Sequence, residues 1–214
     1  MIRPTAPASP STPLPRRPGE PAWDVALLFP PQGDWTEEEY LALDTNRMVE
    51  LSDGFLEVLP MPSVLHQLLV KFLHARLEAF ISTRKLGTAL FAPLPVRLWH
   101  RKFREPDVVF LRPGRITDPK GQPEGADLVM EALSEGEEDR LRDLVTKPQE
   151  YAAAGIAEYW IVDPLLSRIT VLVLEGGSYR EHGSFAPGQT ATSVLLPGFE
   201  IRVSEAMAAG EGAR

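Results

Sequence analysis

The sequence predicts a mixed α/β domain, and three observations predict it. A helical stripe runs from about Ser63 to Phe80, and a second helix signal ends at Gly155. Short apolar runs of strand length lie between these helices and after them. The order is helix, several strands, helix, strands, with the early strands expected to form an antiparallel meander.

Each element has its own local cause. The N-terminus, "MIRPTAPASPSTPLPRRPGEP", is dense in Pro, Ser and Thr with little to bury, so residues 1–21 are expected to be a disordered, polyproline-like tail. Residues 22–214 are expected to form a single domain, since no repeat or second composition break follows. "DWTEEEYLAL" reads as a short helix, with Thr36 as N-cap and Glu39 completing a capping box. "RMVELSDGFLEVLP" reads as two strands around an Asp53-Gly54 turn. In the long helix His66, Leu69, Leu73, Leu77 and Phe80 share one face, while Lys71, Arg76 and Glu78 lie elsewhere. "GTALFAP", "LPVRLWH" and "PDVVFLRP" follow as extended segments, and a Gly/Pro-rich connection leads to the strand "LVMEALS". "KPQEYAAAG" forms a helix closed by Gly155 at C′. "EYWIVDP" and "RITVLVLEGGSYREH" supply further strands, with Tyr159 and Trp160 expected in the core and Asp163 at a strand end.

Composition narrows the function classes. There is no cysteine, hence no disulfide framework and no thiolate metal site. No continuous apolar segment suits a secretory signal or a bilayer span, so a cytoplasmic protein without membrane contact is the expectation. A net charge of −8 argues against coating nucleic acid by bulk electrostatics, although it leaves room for a local basic groove. Arg and Lys do gather in "RKLG", "RLWHRKFRE" and "LRPGR", which individually read as solvated loops.

One residue stands out against its surroundings. Glu131 sits inside an apolar strand, and an isolated carboxylate taken out of water must be paired, protonated or bound to a cation. Taken singly it would pair with an arginine such as Arg97 or Arg104, and Asp107 in "EPDVVFL" would be a strand-end residue. Together, on neighbouring strands, the two acids offer hard oxygen ligands of the kind Mg²⁺ or Mn²⁺ takes. Lys147 stands just before Pro148, so the helix either starts there or is kinked there, and its ammonium can point at the strand ends. A lysine so placed can stabilise charge developing on a phosphoryl group. Asp139 and Asp143 could approach such an ion, but a solvated helix face, with Asp139 paired to Arg142, is the more ordinary reading.

"EPDVVFL", "DLVMEALS" and "KPQEYAAAGIAEYWIVDP", in that order, resemble the Uma2 (Uma-two) family of restriction-endonuclease-like proteins, a branch of the PD-(D/E)XK nuclease superfamily. The similarity extends upstream to "MVELSDGFLEVLPMPSVLHQLLVKFL" and covers roughly residues 35–164. The resemblance implies a restriction-endonuclease-like core, a central mixed sheet flanked by helices, with the catalytic acids on adjacent strands. Asp107 matches the Asp of the PD pair and Glu131 the acid of the (D/E)XK element. Leu133 occupies the place of that element's lysine, and Lys147 matches a lysine relocated to the following helix. Glu50 and His66 match an outer acid and a histidine near the site. On the residues alone, Glu50 reads equally as a hairpin surface residue, and His66 as a core or rim histidine.

The function this implies is Mg²⁺- or Mn²⁺-dependent DNA endonuclease activity on phosphodiester bonds. Asp107, Glu131 and the backbone carbonyl of Ala132 would hold the ion, with Lys147 orienting the attacking water. Double cleavage of a duplex would suit a homodimer. Two other classes compete: a catalytically inactive nuclease-fold protein serving binding or regulation, and a hydrolase of smaller phosphodiesters.

Overall fold

The computed structural model describes residues 29–45 and 47–212, so the expected tail over residues 1–21 lies outside the described residues. The first helix, α1 (Glu37–Leu41), carries the expected capping box: Glu39 N–H donates to the Thr36 hydroxyl, and the Glu39 carboxylate accepts from Thr36 N–H. β1 (Val49–Ser52) and β2 (Phe55–Val58) form the expected hairpin. Its turn needs positive φ at both central residues, and Asp53 (51°) and Gly54 (88°) supply it. A side chain at Gly54 would also strike the Gly33 carbonyl and the Arg101 guanidinium.

The long helix α2 (Val64–Arg84) is capped by the Ser63 hydroxyl, which accepts from His66 N–H. It buries Leu69, Val70, Leu73, Leu77 and Ile81. The remaining strands are β3 (Thr88–Phe91), β4 (Val96–Trp99), β5 (Lys102–Arg104), β6 (Val108–Leu111), β7 (Leu128–Ala132), β8 (Glu158–Asp163), β9 (Arg168–Glu175) and β10 (Ser178–Phe185). A helical connection joins β7 to β8: α3 (Glu137–Leu141), a π-helical turn (Arg142–Thr146) and α4 (Lys147–Ala153). The hairpin of β11 (Thr190–Thr192) and β12 (Glu200–Arg202) and the helix α5 (Val203–Glu211) complete the described chain.

The expectation of one early meander is corrected. The early strands pair antiparallel, but they divide between two sheets. One runs β2-β1-β5-β4; β3 leaves it to become the edge of a six-stranded sheet, β10-β9-β8-β7-β6-β3. In that sheet β7 and β8 pair in parallel, as a helical crossover between them allows, and the other pairs are antiparallel. Strand residues alternate between its two faces. Val108, Phe110, Leu128 and Met130 join α2 and α5 in one core; Val109, Leu111 and Val129 meet Tyr151, Ile156 and Tyr159 in another. Tyr159 and Trp160 are fully buried, as expected.

The basic cluster "RKFRE" is not a solvated loop. Lys102 and Arg104 lie on β5 and are 2% and 1% exposed. Burial of two cations so close together requires carboxylates from elsewhere in the chain, which local sequence does not reveal.

Candidate active site

Glu131 ends its strand beside Ala132, at the carboxyl end of the parallel β7–β8 pair, where Glu131 lies level with Ile161. In open α/β sheets this is the end at which ligands gather. Asp107 stands just ahead of β6, whose Val108 pairs with Met130. The pairing brings the two acids together: Asp107 N–H points at Glu131 Oε2 over 3.4 Å, and Ala132 N–H donates to Asp107 Oδ2 at 2.7 Å. The expected contribution of Ala132 is its carbonyl; the group that meets Asp107 is its amide.

The lysine reaches the site because of Pro148. Proline has no N–H, and inside a regular α-helix its ring would strike the carbonyl four residues back. The ladder widens by one residue instead, with Lys147 N–H bonding the Arg142 carbonyl. Such π-turns recur at functional sites. The Tyr159 hydroxyl fixes this one by donating to the Asp143 carbonyl at 2.9 Å. Lys147 is 3% exposed, and its Nζ lies 2.8 Å from Glu131 Oε1, 3.0 Å from Asp143 Oδ1 and 3.7 Å from Glu50 Oε1. One turn later the Tyr151 hydroxyl donates to the same Glu131 oxygen at 2.7 Å.

Both auxiliary positions fall here as well. Glu50 is fully buried rather than on the hairpin surface: Oε2 accepts from Arg104 Nη1 at 2.6 Å and Oε1 from Glu105 N–H at 2.9 Å. His66 Nε2 lies 2.9 Å from Asp107 Oδ1, at the rim of the site. Asp143 corrects its reading as part of a solvated face, since it is buried against Lys147; Asp139 does pair with Arg142 at 2.9 Å. Neither arginine proposed for Glu131 serves it. Arg97 meets Glu37 and Glu124, and Arg104 meets Glu50, Glu57 and Glu150.

Sequence reasoning set Asp143 aside in favour of the solvated face and missed Tyr151 as a site residue. A signal existed: positions 143, 147 and 151 recur every four residues, which stacks them on one helical face.

The electrostatics are those of crowded acids. Burial pushes the Glu131 carboxyl up; Lys147 opposes the shift, and repulsion from Asp107 and Asp143 adds to it. Burial works against charge on Lys147, yet Glu131, Glu50 and Asp143 together hold its pKa well above the ordinary lysine range. His66 behaves alike: burial opposes its charge, but the Asp107 hydrogen bond and charge raise its pKa. Burial and Glu50 push Glu105 up to about 7, and its Oε2 lacks a hydrogen-bond partner.

These residues line a cavity of about 40 Å³, bounded by His66, Asp107, Glu131, Arg142, Asp143 and Lys147. That is room for about three water-sized groups at roughly 10–15 Å³ each, so it suits a hydrated ion better than a nucleotide. Among the described residues no three Asp, Glu or His side chains form a closed cation cage. Two carboxylates with space for water are nonetheless what Mg²⁺ uses, since it keeps much of its hydration. A divalent charge would also relieve the repulsion around Glu131. The donor set fits a hard divalent cation.

Residues 37–204 match the Uma2 family, described as "Putative restriction endonuclease". Among solved structures, the chain is similar to a "putative nuclease belonging to DUF820 from Anabaena variabilis ATCC 29413". The TM-score is 0.68 at 16% identity, over 82% of this chain and 99% of that one, a likeness of fold. No curated protein matches. No helix among the described residues is long and apolar enough to cross a membrane.

Proposed function

Since the chain belongs to the Uma2 family of restriction-endonuclease-like proteins, we propose that it is a metal-dependent DNA endonuclease that hydrolyses phosphodiester bonds at the Glu131 site. The observation that carries the reading is the meeting of Asp107, Glu131 and Lys147 around one small cavity. Asp107 and Glu131 would hold Mg²⁺ or Mn²⁺, with the Ala132 carbonyl as a candidate third oxygen. When bound, such an ion supplies charge neutralisation at a phosphoryl oxygen and a more acidic water.

The chain's own residues do the rest. Lys147, kept protonated by three acids, presents a fixed positive charge where negative charge develops on the scissile phosphate. Preorganisation matters here because the ammonium is already buried, with no water shell to lose during reaction. Tyr151 holds the Glu131 carboxylate in one rotamer, and the Ala132 amide does the same for Asp107. His66 holds Asp107 through its Nε2, which leaves its buried Nδ1 without a partner. The cavity is too small for a nucleotide, so the substrate backbone would lie across its mouth.

Cleavage of mixed DNA substrates in Mn²⁺, with Asp107→Ala run alongside, tests the reading. Metal-dependent nicking by the parent and none by the variant is expected. Equal nicking by both would remove Asp107 from the site, and turnover of a model diester without DNA cleavage would move the substrate to smaller phosphodiesters. Double-strand products would bring in the dimer, to be checked by sedimentation. Metal binding without any turnover would favour the second class, a nuclease fold kept for binding.

A further inference from the structure

A second buried cation stands behind the site. Arg104 is 1% exposed, and its guanidinium meets three carboxylates: Glu50 Oε2 at 2.6 Å, Glu57 Oε2 at 2.5 Å, and both oxygens of Glu150 at 2.7 and 2.9 Å. The Glu150 contact is a two-point fork, the geometry at which arginine and carboxylate match best. Glu150 lies on α4 three residues past Lys147, so gripping it sets the rotation of the helix that aims the lysine. Lys102, on the same strand as Arg104, adds a second cation to Glu150 and also bonds Ser52 Oγ at 2.6 Å.

Glu50 supplies another route. It lies between two cations, with Arg104 at 2.6 Å and Lys147 at 3.7 Å. The near contact occupies Oε2, while Oε1 is held by Glu105 N–H. Without Arg104, a fully buried Glu50 would have Lys147 as its nearest remaining cation, with Arg142 farther off, and would draw the ammonium off Glu131. Burial leaves few other ways to neutralise it.

We infer that Arg104 is a positioning residue for Lys147, acting through Glu150 and Glu50, so that the small sheet sets the geometry of the cleavage site. The inference rests on the nuclease reading for its consequence in catalysis, and on the side-chain geometry alone for its structural half. A buried arginine among three acids could instead serve only to hold the small sheet together. The two roles separate when Lys147 is removed, because positioning needs something to position.

The test uses Arg104→Lys and Glu150→Gln, each in the parent and in a Lys147→Ala background. Glu150→Gln leaves Arg104 with two carboxylates, so it keeps the test alive if Arg104→Lys fails to fold. The first readout is side-chain NMR of isotope-labelled lysine, with the Lys147 ammonium signal assigned by its loss in Lys147→Ala. A moved or exchange-broadened Lys147 signal is expected in variants that keep the parent's circular dichroism. An unmoved signal in folded variants overturns the inference, whether or not the protein cleaves DNA. The second readout is Mn²⁺-dependent cleavage. A misplaced lysine should cost roughly 10²-fold in kcat with KM nearly unchanged. The same substitutions should cost almost nothing further in the Lys147→Ala background. Equal losses in both backgrounds overturn the inference and leave the nuclease reading standing. A parent that never cleaves sinks that reading, and the NMR result then decides the positioning by itself.

Discussion

Two glutamates, Glu131 on β7 and Glu158 on β8, are buried on paired strands, and their surroundings differ in kind. Glu158 lies at the start of the parallel pair, level with Leu128. Its carboxylate receives four uncharged donors: Trp160 Nε1 at 2.7 Å, Ser193 Oγ at 2.6 Å, and the amides of Val194 and Leu195 at 2.7 and 2.8 Å. Glu131, at the other end, shares its space with Asp107 and Asp143, and its second oxygen has only a 3.4 Å amide contact. Burial of an acid is therefore not the mark of a site. An acid whose donors close around it holds a loop; one left with like charges and a cavity is arranged for something that arrives later.

The sharpest way to break this contrast is to remove both charges with the same change. Glu158→Gln puts an amide where an indole N–H, a hydroxyl and two backbone donors converge, leaving at least one of those donors and one N–H of the new amide unsatisfied. A loss of roughly 2–6 kcal/mol in urea unfolding is expected, at 1–3 kcal/mol per orphaned buried group. Glu131→Gln should shift stability by only about 1 kcal/mol, because removing the buried charge offsets what Lys147 loses. Its metal-dependent cleavage should vanish. If Glu131→Gln unfolds the protein as badly as Glu158→Gln does, Glu131 is structural after all.

The next effect in size separates the parts of the site. Lys147→Ala should lower turnover roughly 10²–10³-fold, the loss typical of removing one preorganised group from a transition state. Mn²⁺ affinity, followed by calorimetric titration, should change much less, since the carboxylates remain. A parent-like rate in Lys147→Ala would reassign the lysine to the role that Arg140 has against Asp163, an ion pair closing a turn.

The sequence exposed one side of the Glu131–Glu158 contrast and hid the other. Glu131 interrupts an apolar run, and Asp107 opens one, so both are visible as residues in the wrong company. Lys147 is visible through Pro148, which dictates local backbone geometry. Glu158 opens its strand between Ala157 and Tyr159, where an acid reads as an ordinary strand-end residue, and three of its four donors lie 35 to 37 positions away, so no local pattern announces its role. Arg104 and Lys102 fail for the same reason: their carboxylates come from β1, β2 and α4, and a basic run without its partners looks like solvated loop. Asp143 was misread because it shares a face with Lys147, and nothing local shows that this face is buried against Glu131 and Glu50. The Asp53-Gly54 hairpin and the Thr36-capped helix were legible because each depends on residues within a few positions.

The smallest effect comes from Glu105, two residues before Asp107, which carries the contrast to its limit: a buried acid with one oxygen lacking any partner. Burial and the nearby Glu50 raise its pKa from 4.5 to about 7. Between those values the folded chain holds a proton that the unfolded chain has released. More protons bound to the native state means that stability falls as pH rises through this window, the reverse of the usual salt-bridged carboxylate. At about 1.4 kcal/mol per pH unit the ceiling is near 3 kcal/mol, and cavity water should reduce it to roughly 1–2 kcal/mol. Glu105→Gln mimics the protonated form at every pH. In metal-free protein it should therefore melt like the parent near pH 5 and at a higher temperature than the parent near pH 8. Melting curves that differ equally at both pH values would mean that Glu105 is charged throughout, with its free oxygen answered by a group that the folded chain supplies.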